Sequence, residues 1–331
     1  MFKESIHMTP ATNSTLNADA TTPEKINWLG HRYFLLNRDA ELKEKLSRLF
    51  ASDADGHLTA VPKKDPLTGE TRGLMVIGVS GAGKSALLKR TLRKLDTFKL
   101  AERDTAGNTL YVTVPPEATI KSLGLRIAKD LGYIDINPRA NADEVWGVAS
   151  HKMGKMGITL LVIDETHHLL RKGSGRDVEG AIQRLKSLLQ GDWPLAVIIA
   201  GVGKLRDGVM TDPETDRRFP KFQLSRIAQG SSDANAFARS FQLCAENVGL
   251  TLAETTLPER VLFAEEGQPG RAINLAKLIL VACLEAGHSH VSLQDAYRVF
   301  SAEYGEMPIS PFANAEWGTL RASLIESGWT R

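Results

Sequence analysis

Cysteine is nearly absent from this 331-residue chain, which has only Cys244 and Cys283. Both lie in apolar stretches of helical pattern, and neither stands at a metal-ligand spacing. A disulfide framework and a thiolate metal centre are therefore excluded, and buried structural thiols are expected. No run of eighteen apolar residues occurs, which excludes a helical membrane span. The N-terminus lacks the basic-then-apolar layout of a secretory signal, so a cytoplasmic protein with no membrane partner is expected. A dominant charge is lacking too. The 41 Lys and Arg against 39 Asp and Glu leave a net charge of +2, short of the excess that marks a dedicated nucleic-acid module. There is no internal repeat. What remains is ordinary globular composition, 42% hydrophobic and 24% charged, in a length that suits about two or three domains.

Polar, low-complexity residues over 11–22 cannot bury enough apolar surface to fold alone. Residues 1–25 are thus expected to form a flexible tail, and residues 26–72 an N-terminal helical segment. Its helix covers 38–50, with Leu42, Leu46 and Leu49 on one face, and a polar loop follows over 52–71. From residue 73 short apolar runs alternate with helical patterns. Strands are predicted over 73–77, 109–114, 158–163, 195–200 and 222–224, and helices over 86–95, 119–131, 142–155 and 178–190. Continuous apolar strands separated by helices predict an α/β fold over 73–230, a parallel sheet covered on both faces. After residue 230 the strands stop. Helical patterns over 235–247, 258–265, 270–286 and 292–304 predict a smaller C-terminal α-helical domain over 231–305. Residues 306–331 read as a proline-broken tail with exposed apolar residues. Ser310-Pro311-Phe312 with Trp317 and Trp329 is either a partner-docking peptide or a flexible end.

Gly78-Val79-Ser80-Gly81-Ala82-Gly83-Lys84-Ser85 fits the phosphate-loop pattern, with a strand before it and a helix, opening at Ala86, after it. The glycines let main-chain N–H groups converge where any side chain would intrude. The helix start adds its positive dipole end. Lys84 can reach the β- and γ-phosphates, and the Ser85 hydroxyl can ligate Mg²⁺. ATP and Mg²⁺ are therefore the expected ligands.

The strand over 158–163 ends in Asp164-Glu165 and is expected beside the loop strand. Asp164 is placed to hold Mg²⁺, and Glu165 to polarise a water for attack on the γ-phosphate. That pair argues against a small-molecule kinase, where a water-activating base would waste ATP. Arg217 and Arg218, in Asp216-Arg217-Arg218-Phe219, are expected to point at the γ-phosphate of a neighbouring subunit; the alternative is a solvated basic pair. Arg271, in Gly267-Gln268-Pro269-Gly270-Arg271, opens a helix, where its charge is mildly unfavourable. It either reaches the phosphates of its own chain or is a surface arginine.

With these four features in order, the chain resembles the AAA+ ATPases over residues 26–312. Within them it looks most like the TniB/TnsC transposition regulators, with MuB more distant. Ile26-Asn27-Trp28-Leu29-Gly30-His31-Arg32-Tyr33 ahead of the first helix and the Ser310-Pro311-Phe312 tail fit that branch. The resemblance implies an AAA+ sheet with a helical lid and ATP-dependent assembly into homo-oligomeric rings or filaments. It implies sequence-independent binding of double-stranded DNA, choice of a target site, and recruitment or activation of a transposase with its target-selector proteins. Thr119 and Lys121, in the loop-to-helix after the second strand where family members line a central channel, become DNA-contact candidates. Lys152 and Lys155 are further ones. Such side chains grip phosphates without reading bases; solvated helix faces are the alternative for each. One departure concerns the fourth strand. AAA+ proteins carry a polar residue at its end to sense the γ-phosphate, and this chain has Ala200-Gly201-Val202-Gly203 there. Slow or partner-controlled hydrolysis is the expectation that follows.

Three other readings stay open. A replication-initiator ATPase is disfavoured, because too few residues follow Tyr304 for a winged-helix reader. A signalling switch would assemble protein without DNA. A phosphotransferase is disfavoured by Glu165.

Overall fold

The computed structural model describes residues 16–17, 19–102, 105–133, 135–137, 139–170, 175–190, 193 and 195–329. The chain forms two compact units, one of Arg38–Ser225 and one of Met1–Asn37 with Arg226–Arg331. In chain order, α1 (Thr22–Gly30) belongs to the second of these. The first unit then runs α2 (Asn37–Ser47), β1 (Phe50–Ser52), β2 (Leu58–Pro62), β3 (Gly73–Gly78), α3 (Lys84–Lys94), β4 (Thr109–Thr113), α4 (Ile120–Asp130) and α5 (Ala142–Lys155). It continues with β5 (Leu160–Asp164), a 3-10 turn (Thr166–Leu170), α6 (Gly175–Ser187), β6 (Ala196–Gly201), α7 (Gly203–Val209), α8 (Pro213–Arg218) and β7 (Lys221–Leu224).

Among the described residues, β3 to β7 form a five-stranded parallel sheet in the order β4-β5-β6-β3-β7. Parallel strands covered on both faces need apolar residues at nearly every position, and every residue of β3, β5 and β6 is buried. Alternate residues serve opposite faces. Met75, Ile77, Leu161, Ile163, Val197 and Ile199 meet Leu123 and Ile127 of α4, Trp146 and Met153 of α5 and Leu185 of α6. Leu74, Val76, Leu160, Val162, Ile198 and Ala200 meet Leu42 and Leu46 of α2 and Leu87, Leu88 and Leu92 of α3. The result is the three-layer α/β fold that the alternation predicts. Gly73 marks a close approach at the start of β3. A Cβ there would stand 2.2 Å from the Phe219 ring and 2.7 Å from the Val197 carbonyl oxygen.

Two expectations for this unit are corrected. The polar stretch over 52–71 is not a plain loop, because β2 lies in it and pairs antiparallel with β1, which ends where the stretch begins. Those strands are too short and too exposed for alternation to reveal them. Nor does the strand carrying Asp164 lie beside the loop strand, since β6 stands between β5 and β3. Strand order follows from crossovers, which local patterning does not encode.

The second unit continues with α9 (Ser232–Asn247), β8 (Thr251–Leu252), α10 (Leu257–Ala264), α11 (Pro269–Glu285), β9 (His290–Val291), α12 (Leu293–Tyr304) and α13 (Trp317–Glu326). The unit is helical, with a small parallel β8–β9 pair added. Its core gathers Phe237, Phe241, Leu257, Ile279 and Phe300. Cys244 and Cys283 are free, buried thiols. At the N-terminal side, residues 1–15 and Ala18 of the expected tail lie outside the described residues. Residues 22–25 are helical rather than tail. Leu29, Phe34 and Leu36 enter the helical core, so the segment over 26–72 is divided between the units after Asn37.

The loose end expected over 306–331 is also corrected. Phe312 is buried, its ring 5.4 Å from that of Phe300. Trp317 meets Phe263 edge-on at 5.4 Å. Buried Arg260 donates to the carbonyls of Pro311, Ala313 and Ala315 at 2.9, 3.0 and 2.7 Å. Prolines end the helical periodicity here without releasing the chain, so Trp317 has no free peptide to belong to. Among the described residues no helix is long and apolar enough to cross a membrane.

Candidate nucleotide site

The loop between β3 and α3 has a shape that its glycines permit. Gly81 and Gly83 hold φ of +78° and +84°, where a side chain would be strained, and Gly83 caps α3. Gly78 supplies room instead, since a Cβ there would meet Ala82 Cβ at 3.0 Å and Leu224 Cβ at 3.1 Å. Val79, Ser80 and Gly81 are exposed on the crest, Ala82 is buried beneath it, and Ala86 is exposed in the first turn of α3. The first amides of a helix have no intrahelical acceptor and sit at its positive end, which suits an anion. Lys84 is buried, and its ammonium donates to the carbonyls of Gly78 and Val79 at 2.9 and 3.1 Å. Burial pulls the Lys84 pKa down, against the opposite pull of Glu165 and Asp164.

The Ser85 hydroxyl donates to Asp164 Oδ2 at 2.5 Å. Although β6 separates their strands, β3 and β5 run parallel and end at the same edge of the sheet, so the carboxylate reaches the loop. Asp164 is only 2% exposed. Its Oδ2 also accepts from the Tyr111 hydroxyl at 2.6 Å, and its Oδ1 from the Glu165 amide at 2.9 Å. Burial first, then the nearby Asp164 charge, raises the Tyr111 pKa far above the usual phenol value. The phenol therefore remains a donor. A hydroxyl oxygen and a buried carboxylate, with no nitrogen or sulfur between them, are the hard donors that suit Mg²⁺. Ser85 and Asp164 thus fit the metal role read from the sequence.

Glu165 follows with φ +57°, an uncommon conformation for a residue with a side chain. The chain turns there from β5 into the 3-10 segment, where the Thr166 hydroxyl donates to the Ile163 carbonyl at 2.6 Å. His167 Nδ1 stands 3.2 Å from Glu165 Oε2. Tyr111 and His167 are the residues that sequence reasoning missed. Tyr111 sits in an apolar strand and carries no motif. His167 was visible three positions after Asp164, but no spacing rule marked it.

The two arginines of α8 part company. Arg217 is exposed. Arg218 is buried and grips Glu70 with two bonds, Nε to Oε2 and Nη2 to Oε1, both at 2.9 Å. It also donates to the Glu214 carbonyl at 2.8 Å. The Glu70 carboxylate is held below its usual pKa, most by the Gln190 amide and then by Arg218. The expectation that Arg218 reaches a neighbouring subunit is thereby corrected, because its fork is committed inside its own chain. In the helical unit, Arg271 Nε lies 2.7 Å from buried Glu265 Oε2, and Arg271 Nη2 lies 3.3 Å from the Tyr304 hydroxyl. That hydroxyl in turn donates to Glu265 Oε1 at 2.7 Å.

The four DNA candidates do not form one cluster. The Trp146 indole donates to the Ile120 carbonyl at 2.8 Å, joining the starts of α4 and α5. The Lys152 ammonium lies 5.5 Å from the Tyr133 ring centre, joining their ends. The helices therefore run side by side in one direction. Thr119, the N-cap of α4, and half-buried Lys121 lie at the edge where β4 ends. Lys152 and Lys155 lie toward the far end of α5, roughly 9 and 14 Å further along the helix than Trp146.

This fold and this loop define an α/β protein of the P-loop class. The sequence pattern described as "Bacterial TniB protein" matches residues 51–229, more than half of the chain. The chain belongs to the TniB family. Among solved structures it is similar to Cdc6p from Pyrobaculum aerophilum, with TM-score 0.58 and 13% identity over 91% of this chain and 89% of that one. It is similar to the Aeropyrum pernix ORC1 protein in complex with DNA, with TM-score 0.56 and 16% identity over 82% of this chain and 66% of that one. The Aeropyrum pernix ORC2 protein, in ADPNP–ADP complexes, gives TM-score 0.51 and 14% identity over 86% of this chain and 70% of that one. At such identities the likeness shows the fold alone. No curated protein matches the sequence.

Proposed function

We propose that this protein is an ATP-hydrolysing regulator of transposition that assembles on double-stranded DNA, selects a target site and recruits or activates a transposase. One observation carries the catalytic part. The loop hydroxyl of Ser85 and the strand-end carboxylate of Asp164 meet at 2.5 Å, in a chain of the TniB family. In this reading the amides from Gly78 to Ala86 receive the phosphates. Lys84 leaves the Gly78 and Val79 carbonyls for the β- and γ-phosphates, because a charged acceptor outcompetes neutral ones. Ser85 and Asp164 would hold Mg²⁺, which would supply charge neutralisation to the bound phosphates. Glu165 polarises the attacking water. Arg217 of a neighbouring copy meets charge that develops on the γ-phosphate. Arg271 is the candidate to report nucleotide state to the helical unit. Thr119 and Lys121 are the favoured DNA contacts, and the target-selector proteins and transposase are the protein partners. The site resides in the bacterial cytoplasm.

The test is ATP affinity, hydrolysis and imaging of the full chain with DNA and a slowly hydrolysed ATP analogue. Wild-type protein is expected to form rings or filaments on DNA of any sequence. Lys84→Ala is expected to lose them, with ATP affinity reduced at least about tenfold. Nucleotide-dependent assembly that ignores DNA would favour a protein-only switch instead. Absence of ATP binding by the wild-type chain would sink the ATPase reading.

A further inference from the structure

The end of β6 carries no polar side chain of its own, since it reads Ala200-Gly201-Val202-Gly203. The structure nevertheless brings a polar group to that place from another element. His167, on the 3-10 turn after β5, is mostly buried, with 12% of its side chain exposed. A Cβ built on Gly201 would stand 3.2 Å from His167 Nδ1 and 3.1 Å from the Leu205 side chain. The bare strand end thus makes room for the imidazole. The same Nδ1 stands 3.2 Å from Glu165 Oε2.

Both residues are held in place locally. Glu165 takes its left-handed φ of +57° at the strand end. The turn is fixed by the Thr166 hydroxyl on the Ile163 carbonyl at 2.6 Å and by the His168 amide on the Glu165 carbonyl at 3.0 Å. The His168 ring flanks the His167 ring at 4.3 Å between centroids. The 3.2 Å separation is a close approach whose angle falls short of a hydrogen bond, so the buried Nδ1 is left facing Glu165 Oε2.

We propose that His167 is a positioning residue for Glu165, occupying the space where β6 lacks a polar side chain. The inference rests on the ATP-hydrolysis reading above. With its proton on Nδ1, a small rotation of the imidazole lets His167 donate to Oε2, which leaves Oε1 of Glu165 to accept from the attacking water. The water oxygen forms its bond to the γ-phosphorus as the bond to the β–γ bridging oxygen breaks. The water proton passes to Glu165 Oε1, and the electron pair of the broken bond leaves with ADP. His167 touches neither nucleotide nor water; it fixes the rotamer of the group that does. Orientation of a catalytic base is worth about one to two orders of magnitude in rate.

The experiment compares the full-length wild type with His167→Ala, His167→Asn, Glu165→Gln and the Glu165→Gln/His167→Ala double variant. Each is assayed with and without DNA for kcat and KM of ATP hydrolysis, and for affinity toward a fluorescent ATP analogue. His167→Ala is expected to lower kcat about 10- to 100-fold, with KM and analogue affinity within about twofold of wild type. His167→Asn keeps an N–H near the Nδ1 position and is expected to recover most of that loss. The double variant is expected to be no slower than Glu165→Gln alone, because the two residues act as one unit. A wild-type kcat in His167→Ala, an equal loss in His167→Asn, or an additive double variant overturns the proposal. If the wild type does not hydrolyse ATP, the ATPase reading fails, and this inference with it; if Glu165→Gln hydrolyses ATP at the wild-type rate, Glu165 is not the base and this inference falls while the ATPase reading stands. If Glu165→Gln is inactive while His167→Ala is not, only the His167 proposal falls.

Discussion

The Tyr111 hydroxyl lies 2.6 Å from Asp164 Oδ2, the same oxygen that Ser85 engages at 2.5 Å. Two hydroxyls from different elements therefore converge on one buried anionic oxygen. Removing the phenol oxygen by Tyr111→Phe leaves that oxygen one donor short, which costs about 1–3 kcal/mol for a buried charged acceptor. Urea unfolding at neutral pH is expected to show this difference. The pH dependence has a definite sign. The folded-state pKa of Tyr111 is raised above the ordinary 10.0, so its contribution is complete below that pH and is lost as pH rises beyond it. The gap between wild type and Tyr111→Phe is expected to narrow in alkali. A gap that stays constant past pH 11 would argue against Tyr111 as the titrating group.

Arg217 and Arg218 are adjacent in sequence and opposite in role. Arg218→Ala leaves the partly buried Glu70 without its two-bond partner and is expected to cost about 2–4 kcal/mol in unfolding free energy. Arg217→Ala changes an exposed side chain and is expected to leave stability within about 0.5 kcal/mol. Its effect should appear instead as slower ATP hydrolysis by the assembled protein. Mixing Arg217→Ala with Lys84→Ala chains is the informative assay, since a contact made in trans is measured only across unlike copies.

Lys121 and the Lys152–Lys155 pair stand at opposite ends of the α4–α5 layer, so one DNA duplex need not engage both. If the edge near the phosphate loop faces DNA, Lys121→Ala reduces the slope of log affinity against log salt by about one. Lys152→Ala and Lys155→Ala leave the slope unchanged. The reverse result would turn the binding face to the other end of the sheet.

Arg260 ties residues 311–315 to the helical unit through three carbonyls. Arg260→Ala is expected to destabilise that unit by about 2–4 kcal/mol and to expose the bonds after residue 305 to limited proteolysis. Removal of the residues from 306 onward is expected to uncover Phe263 and Phe300, giving a protein that binds hydrophobic dyes. Unchanged proteolysis in Arg260→Ala would show that Phe312 and Trp317 hold the segment without it.

Legibility differed between features for physical reasons. Strands β3, β5 and β6 were readable because each is a continuous apolar run buried on two faces. The β1–β2 hairpin was hidden because it is short and half-solvated. The helices of the second unit were readable by their period, whereas Trp317 in α13 was masked by the prolines before it. Arg218 looked like its neighbour Arg217 until Glu70, 148 positions away, was found in its fork.

The phosphate loop was determined by sequence alone, because its geometry is local: Gly81 and Gly83 must adopt positive φ, and the lysine and serine follow them directly. The same holds for the alternation of strands and helices, which is a matter of period. Only the tertiary structure decided which groups meet at the site. The contacts of Asp164 with Ser85 and Tyr111, and of His167 with the end of β6, depend on strand order. Strand order is set by crossover topology and burial on two faces, and neither leaves a mark on any single stretch of chain.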